Sequence, residues 1–326
     1  MRKLSRQTTC SLLGGLLVFL ASFLPKANAR RVWIDTDLTL GSPLREVDDG
    51  YALLLAFRSP ELQIAGISTT YGNAPLRGTT SRTREALRRF GLTMTVNPGA
   101  ASPNELGRAT PASDALAAAL HTHKRVTYIA LGPLTNLASF VSLHPEQARR
   151  IDEVIMVAGK TPEATLGFGP EEKFRIHDAN FVKDPAAMRA IFASPIPISL
   201  APIETSARLL LDAQDLRTLE ASDPAGRFLS RKSGLWLRFW THFVKAGGGP
   251  VFDALAVVAA ARPNLVMTDL RTASIEADGS LIVRRKAEGT GRKVRFCSGF
   301  VPATKAVILD RLTGRREKSS SAQRDR

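Results

Sequence analysis

Short, mostly apolar runs recur along the chain, and segments with a helical spacing of apolar residues separate them. Runs of this kind are typical of strands that are buried on both faces of a parallel sheet. The predicted strands cover residues 31–35, 62–69, 126–131, 153–157 and 196–200. The first of them ends in carboxylates, as expected where a parallel strand ends at a site.

Helical patterns fill the segments between these runs. They predict helices at 48–57, 78–90, 212–221, 223–246 and 302–312, and further helices that begin at Leu134, Asp184 and Phe252. Two β-like segments follow near residues 272–284 and 293–298. Because strands and helices alternate without an internal repeat or a strong linker, we expect one α/β domain with an open, mostly parallel, doubly wound sheet. This domain spans residues 30–314.

The first 29 residues have the three parts of a secretory signal peptide: a basic start, an apolar run over 10–24 and an Ala27-Asn-Ala29 ending. A membrane anchor or a buried helix is the alternative, but the run is short for a span of about 20 residues. We therefore expect cleavage after Ala29, a periplasmic or secreted protein, and no stable membrane anchor in the mature chain. Residues 315–326 have no apolar periodicity and predict a disordered basic tail.

The formal net charge of +15 raises the question of a nucleic-acid partner. Part of this charge belongs to the predicted signal peptide and tail, which are rich in Arg and Lys. A basic helix face carries Arg77, Arg82, Arg84, Arg88 and Arg89, but no aromatic residues are interleaved with them. Stacking platforms for bases are therefore not indicated, and we expect a small-molecule substrate and no nucleic acid.

Four carboxylates stand close together in the sequence, at a predicted strand end and a predicted helix start. They are Asp35, Asp37, Asp48 and Asp49. Such a group repels itself unless something compensates its charge, and a divalent cation does so most simply. Oxygen-rich sites of this kind suit Ca²⁺ or Mg²⁺. Helix capping combined with solvated acids is the other interpretation of this cluster.

Further motifs extend this pattern along the chain. Asp35-Thr-Asp37 and Asp48-Asp49 are followed in order by Thr69-Thr-Tyr-Gly72-Asn73, Ala130-Leu131-Gly-Pro-Leu-Thr-Asn136, Asp178-Ala-Asn180 with Asp184-Pro185, and Pro250-Val-Phe252-Asp253. In this order and spacing the chain resembles the nucleoside hydrolase family of the inosine-uridine-preferring type. The resemblance runs from about Arg31 to Arg311, which is nearly the whole predicted mature domain.

This resemblance implies an open α/β fold, a bound Ca²⁺ and hydrolysis of the N-glycosidic bond of ribonucleosides to free base and ribose. The implied metal ligands are Asp37, Asp49, Asp253 and the main-chain carbonyl of Leu131. Asp37 is also the implied catalytic base, which activates a metal-bound water. The implied substrate-binding residues are Asp48, Asn73 and Asn180 at the ribose hydroxyls, and Asp178 at the 5′ end of the ribose. Members of the family often form homo-oligomers.

Three departures from the family pattern concern the same site. Residues 38–47 form a longer loop between the two carboxylate pairs than the family usually has. Phe252 precedes Asp253, where well-studied members have a histidine that protonates the leaving base. The glycine-rich loop 159–173 lacks the usual Gly-Asn step. His177 and His242 are the nearest histidines to the missing donor, and each is more typical of an ordinary surface or packed residue.

Two other functions fit parts of the pattern. The absence of a histidine at Phe252 is compatible with a non-catalytic nucleoside- or ribose-binding protein on the same scaffold. Asp35-Thr-Asp37-Leu-Thr39 also fits the opening motif of haloacid-dehalogenase-like phosphatases, in which the first Asp is a nucleophile. That second alternative leaves Asp48 and Asp49 unexplained.

Overall fold

A nine-stranded sheet forms the centre of the part of the chain that the structure describes. This structure is a computed structural model and describes residues 28–42, 45–276, 280–285 and 291–315. The strands are β1 Arg30–Thr36, β2 Leu62–Thr69, β3 Val96–Pro98, β4 Val126–Ala130, β5 Ile151–Met156, β6 Gly167–Phe168, β7 Phe174–Arg175, β8 Ile198–Leu200, β9 Leu210–Leu211, β10 Gly249–Pro250, β11 Val266–Ile275, β12 Leu281–Arg284 and β13 Arg292–Phe300. Strands β6 and β7 pair with each other, as do β9 and β10, outside the main sheet.

Helices connect most of these strands. They are α1 Asp48–Phe57, α2 Leu76–Arg89, α3 Pro111–His123, α4 Thr135–Leu143, α5 Pro145–Ala148, α6 Ala179–Lys183, α7 Pro185–Ala193, α8 Ile203–Ser206, α9 Ala213–Glu220, α10 Pro224–Arg238, α11 Ala254–Ala261 and α12 Thr304–Leu312. A π-helical turn, Phe239–Phe243, continues α10. Several helices begin at a side-chain cap, for example Asp223, whose carboxylate accepts from the Gly226 N–H and so satisfies a free donor of the first turn.

The order of the strands in the main sheet is β3-β2-β1-β4-β5-β8-β13-β11-β12. The pairs from β3 through β13 are parallel, while β11 pairs antiparallel with both β13 and β12. From β1 the chain proceeds to β2 and β3 on one side, and then crosses to β4, β5 and β8 on the other. This confirms the predicted single-domain α/β fold with an open, mostly parallel, doubly wound sheet.

Alternate residues of the central strands pack on opposite faces of the sheet. In β1, Val32 and Ile34 belong to one buried hydrophobic cluster and Trp33 to the other. In β4, Ile129 and Tyr128 divide in the same way. Because successive side chains of a strand point to opposite faces, a strand that is apolar at every position must be covered on both sides.

The structure corrects some predicted boundaries. The predicted helix 223–246 ends at Arg238, where the backbone widens into the π-turn and brings Trp240 into an aromatic cluster. The β-like segment 272–284 consists of parts of two antiparallel strands, β11 and β12. Strand β3 and helix α3 were not predicted, although Thr110 and Ser113 form a capping box at the start of α3.

The predicted signal peptide and basic tail lie almost entirely outside the described residues, since residues 1–27 and 316–326 are not described. Across the described ranges, no helix has both the length and the apolar character needed to span a bilayer.

Candidate active site

The candidate site lies where the direction of strand succession reverses, between β1 and β4. The two strands pair in parallel, with Asp35 opposite Ala130, so that the residues following each strand meet at one edge of the sheet. Neighbouring connections leave such an edge in opposite directions and open a crevice there, which is the usual ligand site of an open α/β sheet. Asp37 follows β1 and Leu131 follows β4 at this crevice.

Three buried carboxylates converge beside it. Asp48 and Asp49 occupy the first turn of α1, and Asp253 directly precedes α11, which packs against α1. One carboxylate oxygen from each of the three lies within 4.8 Å of the other two. Burial raises the pKa of all three groups well above the usual carboxyl value, and repulsion from the neighbouring carboxylates adds to the rise.

The oxygens of this cluster are only partly satisfied by the protein. Thr36 Oγ1 donates to Asp49 Oδ1, whereas Asp49 Oδ2 and Asp48 Oδ1 are buried and have no hydrogen-bond partner within the described ranges. Unpaired buried carboxylate oxygens are costly and require a compensating proton or cation. A set of hard carboxylate oxygens that face one another suits a divalent ion such as Ca²⁺ or Mg²⁺, so the residues present fit a metal site.

Asp37 lies next to this cluster, but its two oxygens already have partners. Asn73 donates to Asp37 Oδ2 from its backbone N–H at 2.7 Å and to Oδ1 from its side-chain amide at 3.3 Å, and Lys183 Nζ lies 3.4 Å from Oδ2. Burial raises the pKa of Asp37, while Lys183 opposes that rise. Gly72 permits this packing, because at its φ of +154° a Cβ would lie 1.9 Å from Asp37 Oδ2.

Asp35 serves the framework of the site. Its Oδ1 accepts from Ser68 Oγ at 2.6 Å and from Asn136 Nδ2 at 2.9 Å, which ties β1 to β2 and to the start of α4. Burial raises the pKa of Asp35 to about 6, and its Oδ2 has no partner. Asp35 therefore supports the strand end from which Asp37 projects.

Asn180 links two strand ends. Its side-chain amide donates to the Leu131 carbonyl at 2.8 Å and to the Val157 carbonyl at 3.0 Å. The Leu131 oxygen that the family resemblance assigns to the metal thus has an amide partner in this structure. Asp178 caps α6 and accepts from Gly159 N–H at 2.6 Å, and burial raises its pKa to about 6.

A cavity of about 400 Å³ opens over these groups. Part of its lining is polar, and this part, called the acidic side below, includes Asp48, Asp253, Asn73 and Asn180. The rest is aromatic and aliphatic, and this part, called the aromatic side, includes Trp240, Phe252, Ile176 and Val182. The Trp240 and Phe252 rings lie 6.4 Å apart and Phe168 packs on both, at 4.8 Å and 6.3 Å. A small ligand with a polar ring and a flat apolar ring matches these two sides.

The chain matches a known protein family over most of its length. The family model for the inosine-uridine preferring nucleoside hydrolase matches residues 32–304, which is most of the chain and includes every group described above.

The chain belongs to the inosine-uridine preferring nucleoside hydrolase family.

Named relatives agree with this membership. The non-specific ribonucleoside hydrolase RihC of Klebsiella pneumoniae is 25% identical over 263 residues, covering 72% of this chain and 82% of the relative. Uridine nucleosidase 1 of Arabidopsis thaliana is 27% identical over 267 residues, covering 72% and 76%. The plant nucleoside hydrolase PpNRh1 has the same fold, with a TM-score of 0.73 at 23% identity over 87% of this chain and 99% of that chain.

Membership in the nucleoside hydrolase family makes the protein a hydrolase of N-glycosyl compounds, as the sequence predicts. The phosphatase interpretation of Asp35-Thr-Asp37 loses its support, since Asp35 is committed to Ser68 and Asn136. Of the two nearby histidines, His177 is exposed and lines the cavity, whereas the ring of His242 lies 2.9 Å from Thr241 Oγ1.

Two residues of this candidate site, Glu46 and Lys183, were not identified from the sequence. Glu46 lines the cavity and accepts from Trp236 Nε1 at 2.7 Å, and Lys183 contacts Asp37. Trp240 also lines the cavity, and its ring is buried. An acid two residues before Asp48 and a lysine just before the Asp184-Pro185 step were the available signals.

Proposed function

We propose that the protein hydrolyses the N-glycosidic bond of ribonucleosides in a Ca²⁺-dependent reaction, with Asp37 accepting the proton of the attacking water. The observation that carries this proposal is the convergence of Asp48, Asp49 and Asp253 beside the buried Asp37. Asp48 and Asp253 line the cavity, and one buried oxygen each of Asp48 and Asp49 has no hydrogen-bond partner among the described residues. Groups with strongly shifted pKa values in a cleft are typical of catalytic sites.

Asp49 and Asp253 are the side chains that hold the ion, and Asp37 and the Leu131 carbonyl complete the proposed ligand set. The Leu131 carbonyl also accepts from Asn180 and Asp37 also contacts Lys183, and the Leu131 oxygen and Asp37 Oδ1 each have a further lone pair with which they could contact an ion. A bound Ca²⁺ stabilises negative charge on a nearby oxygen and thereby eases loss of a proton from water.

The other steps use side chains of this chain. In this proposal Asp48, Asn73 and Asn180 hydrogen-bond the ribose hydroxyls, which their presence in the cavity lining supports. Asp178, which caps α6, acts at the 5′ end of the ribose. Asp37 takes one proton from the attacking water, and the water oxygen bonds to the anomeric carbon. The carbon–nitrogen bond breaks with its electron pair leaving on the base nitrogen, and the base then takes a proton from solvent water. The path resembles inverting glycoside hydrolysis through an oxocarbenium-like sugar.

The leaving base departs into the aromatic side of the cavity. Phe252 carries no proton to donate, so this side contributes packing instead of acid catalysis. Trp240 and Glu46 both line the cavity, where the Trp240 N–H can donate to a ring nitrogen or carbonyl of the base and Glu46 can accept from an N–H. Phe252 is also the observation that favours the second candidate function, a nucleoside-binding protein that does not turn its ligand over.

A nucleoside panel separates these two functions. Purified protein is incubated with uridine, cytidine, inosine and adenosine, with calcium or with excess chelator, and free ribose and free base are measured. Hydrolysis of at least one nucleoside that stops on chelation and returns with calcium supports the proposal. Bound but intact nucleoside after long incubation favours the binding protein, and turnover that persists in chelator contradicts the calcium requirement.

Export to the periplasm or the medium is also part of the proposal. It rests on the basic start, apolar run and Ala27-Asn-Ala29 ending of residues 1–29. Fractionation of the producing cells followed by N-terminal sequencing tests it. A mature chain that begins at Arg30 outside the cytoplasm supports export, and a chain that retains residues 1–29 in the cytoplasm contradicts it.

A further inference from the structure

Lys183 places a positive charge inside the acidic half of the site. It is the last residue of α6, its side chain is 22% exposed, and it reaches over the fully buried Asp37. Its Nζ lies 3.0 Å from Asn73 Oδ1 and 3.4 Å from Asp37 Oδ2. The ammonium therefore bridges the proposed catalytic base and a proposed ribose-binding amide.

No second basic side chain shares this role among the described residues. Asp35, Asp37, Asp48, Asp49 and Asp253 are all buried. Within 28–42, 45–276, 280–285 and 291–315, Lys183 is the only basic side chain with a nitrogen within 4.0 Å of a carboxylate oxygen of any of them. Its positive charge also opposes the rise in the pKa of Asp49 that burial causes. Among the described residues, the metal-free site thus has one built-in cation, which contacts Asp37 beside the three convergent carboxylates.

We propose that Lys183 is an internal counter-cation of the metal site, which stabilises the metal-free state and lowers the affinity of the site for a divalent ion. The inference rests on the proposed metal site and adds to it a residue that the family resemblance does not assign. A group that stabilises the metal-free state over the metal-bound state weakens binding by the same free energy. Lys183 does so in two ways, because it neutralises part of the charge that attracts the ion and because it occupies Asp37 Oδ2.

Calcium binding without nucleoside tests this proposal. Full-length mature protein is stripped with chelator, and calcium is titrated calorimetrically into the wild type and into Lys183→Met. Removing a unit charge that contacts a ligand of the ion is expected to tighten calcium binding about tenfold or more. The melting temperature of the chelated Lys183→Met protein is expected to fall, since the buried Asp37 then lacks the cation that contacts it.

Two variants control for shape and for overall charge. Lys183→Arg keeps the positive charge and is expected to bind calcium like the wild type. Lys173→Met removes an exposed lysine that pairs only with Glu171 outside the cavity, and it is expected to change neither quantity. Lys183→Gln, which is neutral and polar, replaces Lys183→Met if the latter does not fold.

The outcomes decide the proposal in either direction. Tighter calcium binding in the neutral variants but not in Lys183→Arg supports it. Equal or weaker binding in the neutral variants overturns it, and so does absence of calcium binding in every variant. Because no nucleoside is present, failure of the hydrolase assay does not produce either result.

Discussion

The acidic and the aromatic sides of the cavity differ in how their own residues affect stability. The acidic side is held by the ends of β1 and β4 and by the first residues around α1 and α11, and its carboxylates are buried beside one another. The aromatic side comes from β6, from the π-turn after α10 and from Phe252, and its rings pack on each other. One side is destabilised by its own charges, and the other is stabilised by its own contacts.

This difference indicates which side contributes to catalysis and which to substrate binding. Clustered buried carboxylates weaken a fold and persist where a ligand or a reaction needs them. Aromatic clusters contribute to stability in any case and can accept a flat ring with little change. We therefore expect changes on the acidic side to alter rate and metal binding, and changes on the aromatic side to alter substrate affinity.

The largest effect is expected for Asp37→Asn. An amide cannot accept the proton of the attacking water, so kcat should fall by a factor of about 10³. Ribose release at saturating nucleoside measures this change. Asp114→Asn, at an exposed carboxylate in the first turn of α3, is the matched control and should leave kcat unchanged. Comparable losses in both variants would contradict the role of Asp37.

Asp253→Asn should affect the metal first. Replacing one of three convergent carboxylates removes a ligand charge, and calcium affinity should fall by about 10²-fold. Calorimetric titration checks the affinity, and added calcium should restore part of the ribose release. If Asp253→Asn binds calcium as tightly as the wild type, the ion is bound elsewhere.

Phe252→His tests the contrast between the two sides. A histidine there would place an acid on the aromatic side, next to the leaving base, and we expect kcat for the slowest nucleoside to rise about tenfold. Phe252→Leu, which supplies no proton, should raise KM a few-fold with little change in kcat. An unchanged or lower kcat in Phe252→His would mean that protonation of the base does not limit turnover.

The smallest expected effect is on stability as a function of pH. Asp35 and Asp178 have pKa values of about 6 in the folded protein, above their usual value of 3.8. The folded state therefore retains protons that the unfolded state has released, and this contribution to stability is present below about pH 4 and is lost as the pH rises through 6.

Melting curves in chelator should show this loss as a decrease in Tm of roughly 5 °C between pH 5 and pH 7. Asp178→Asn should reduce the decrease, whereas Asp114→Asn should not. A Tm in chelator that rises over this interval would contradict the shifted values.

The strands of the sheet could be predicted from the sequence more completely than the side-chain contacts at the cavity. Short, mostly apolar runs predicted the positions of β1, β2, β4 and β5, because a strand that is covered on both faces has this pattern. The same pattern placed Asp37 at a strand end and Asp48 at a helix start. Helix α3 was not predicted, because its alanine-rich sequence shows little difference in hydrophobicity between its two faces.

Contacts between distant segments could not be predicted from local patterns. That Asp253 meets Asp48 and Asp49 depends on the packing of α11 against α1, and only the family resemblance indicated it. The direction of Lys183 depends on where α6 ends, and the place of Trp240 at the cavity depends on the π-turn. Each of these is a tertiary result that no periodicity encodes.

In the proposed function Asp48, Asp49 and Asp253 surround one ion, and hydrolysis depends on that ion. Calcium returned stepwise to chelated enzyme, with bound calcium and ribose release measured on the same samples, tests this most directly. We expect no ribose release without calcium, and ribose release that rises in proportion to the calcium bound, up to one ion per chain. Full activity at zero occupancy, or occupancy without any ribose release, would contradict it.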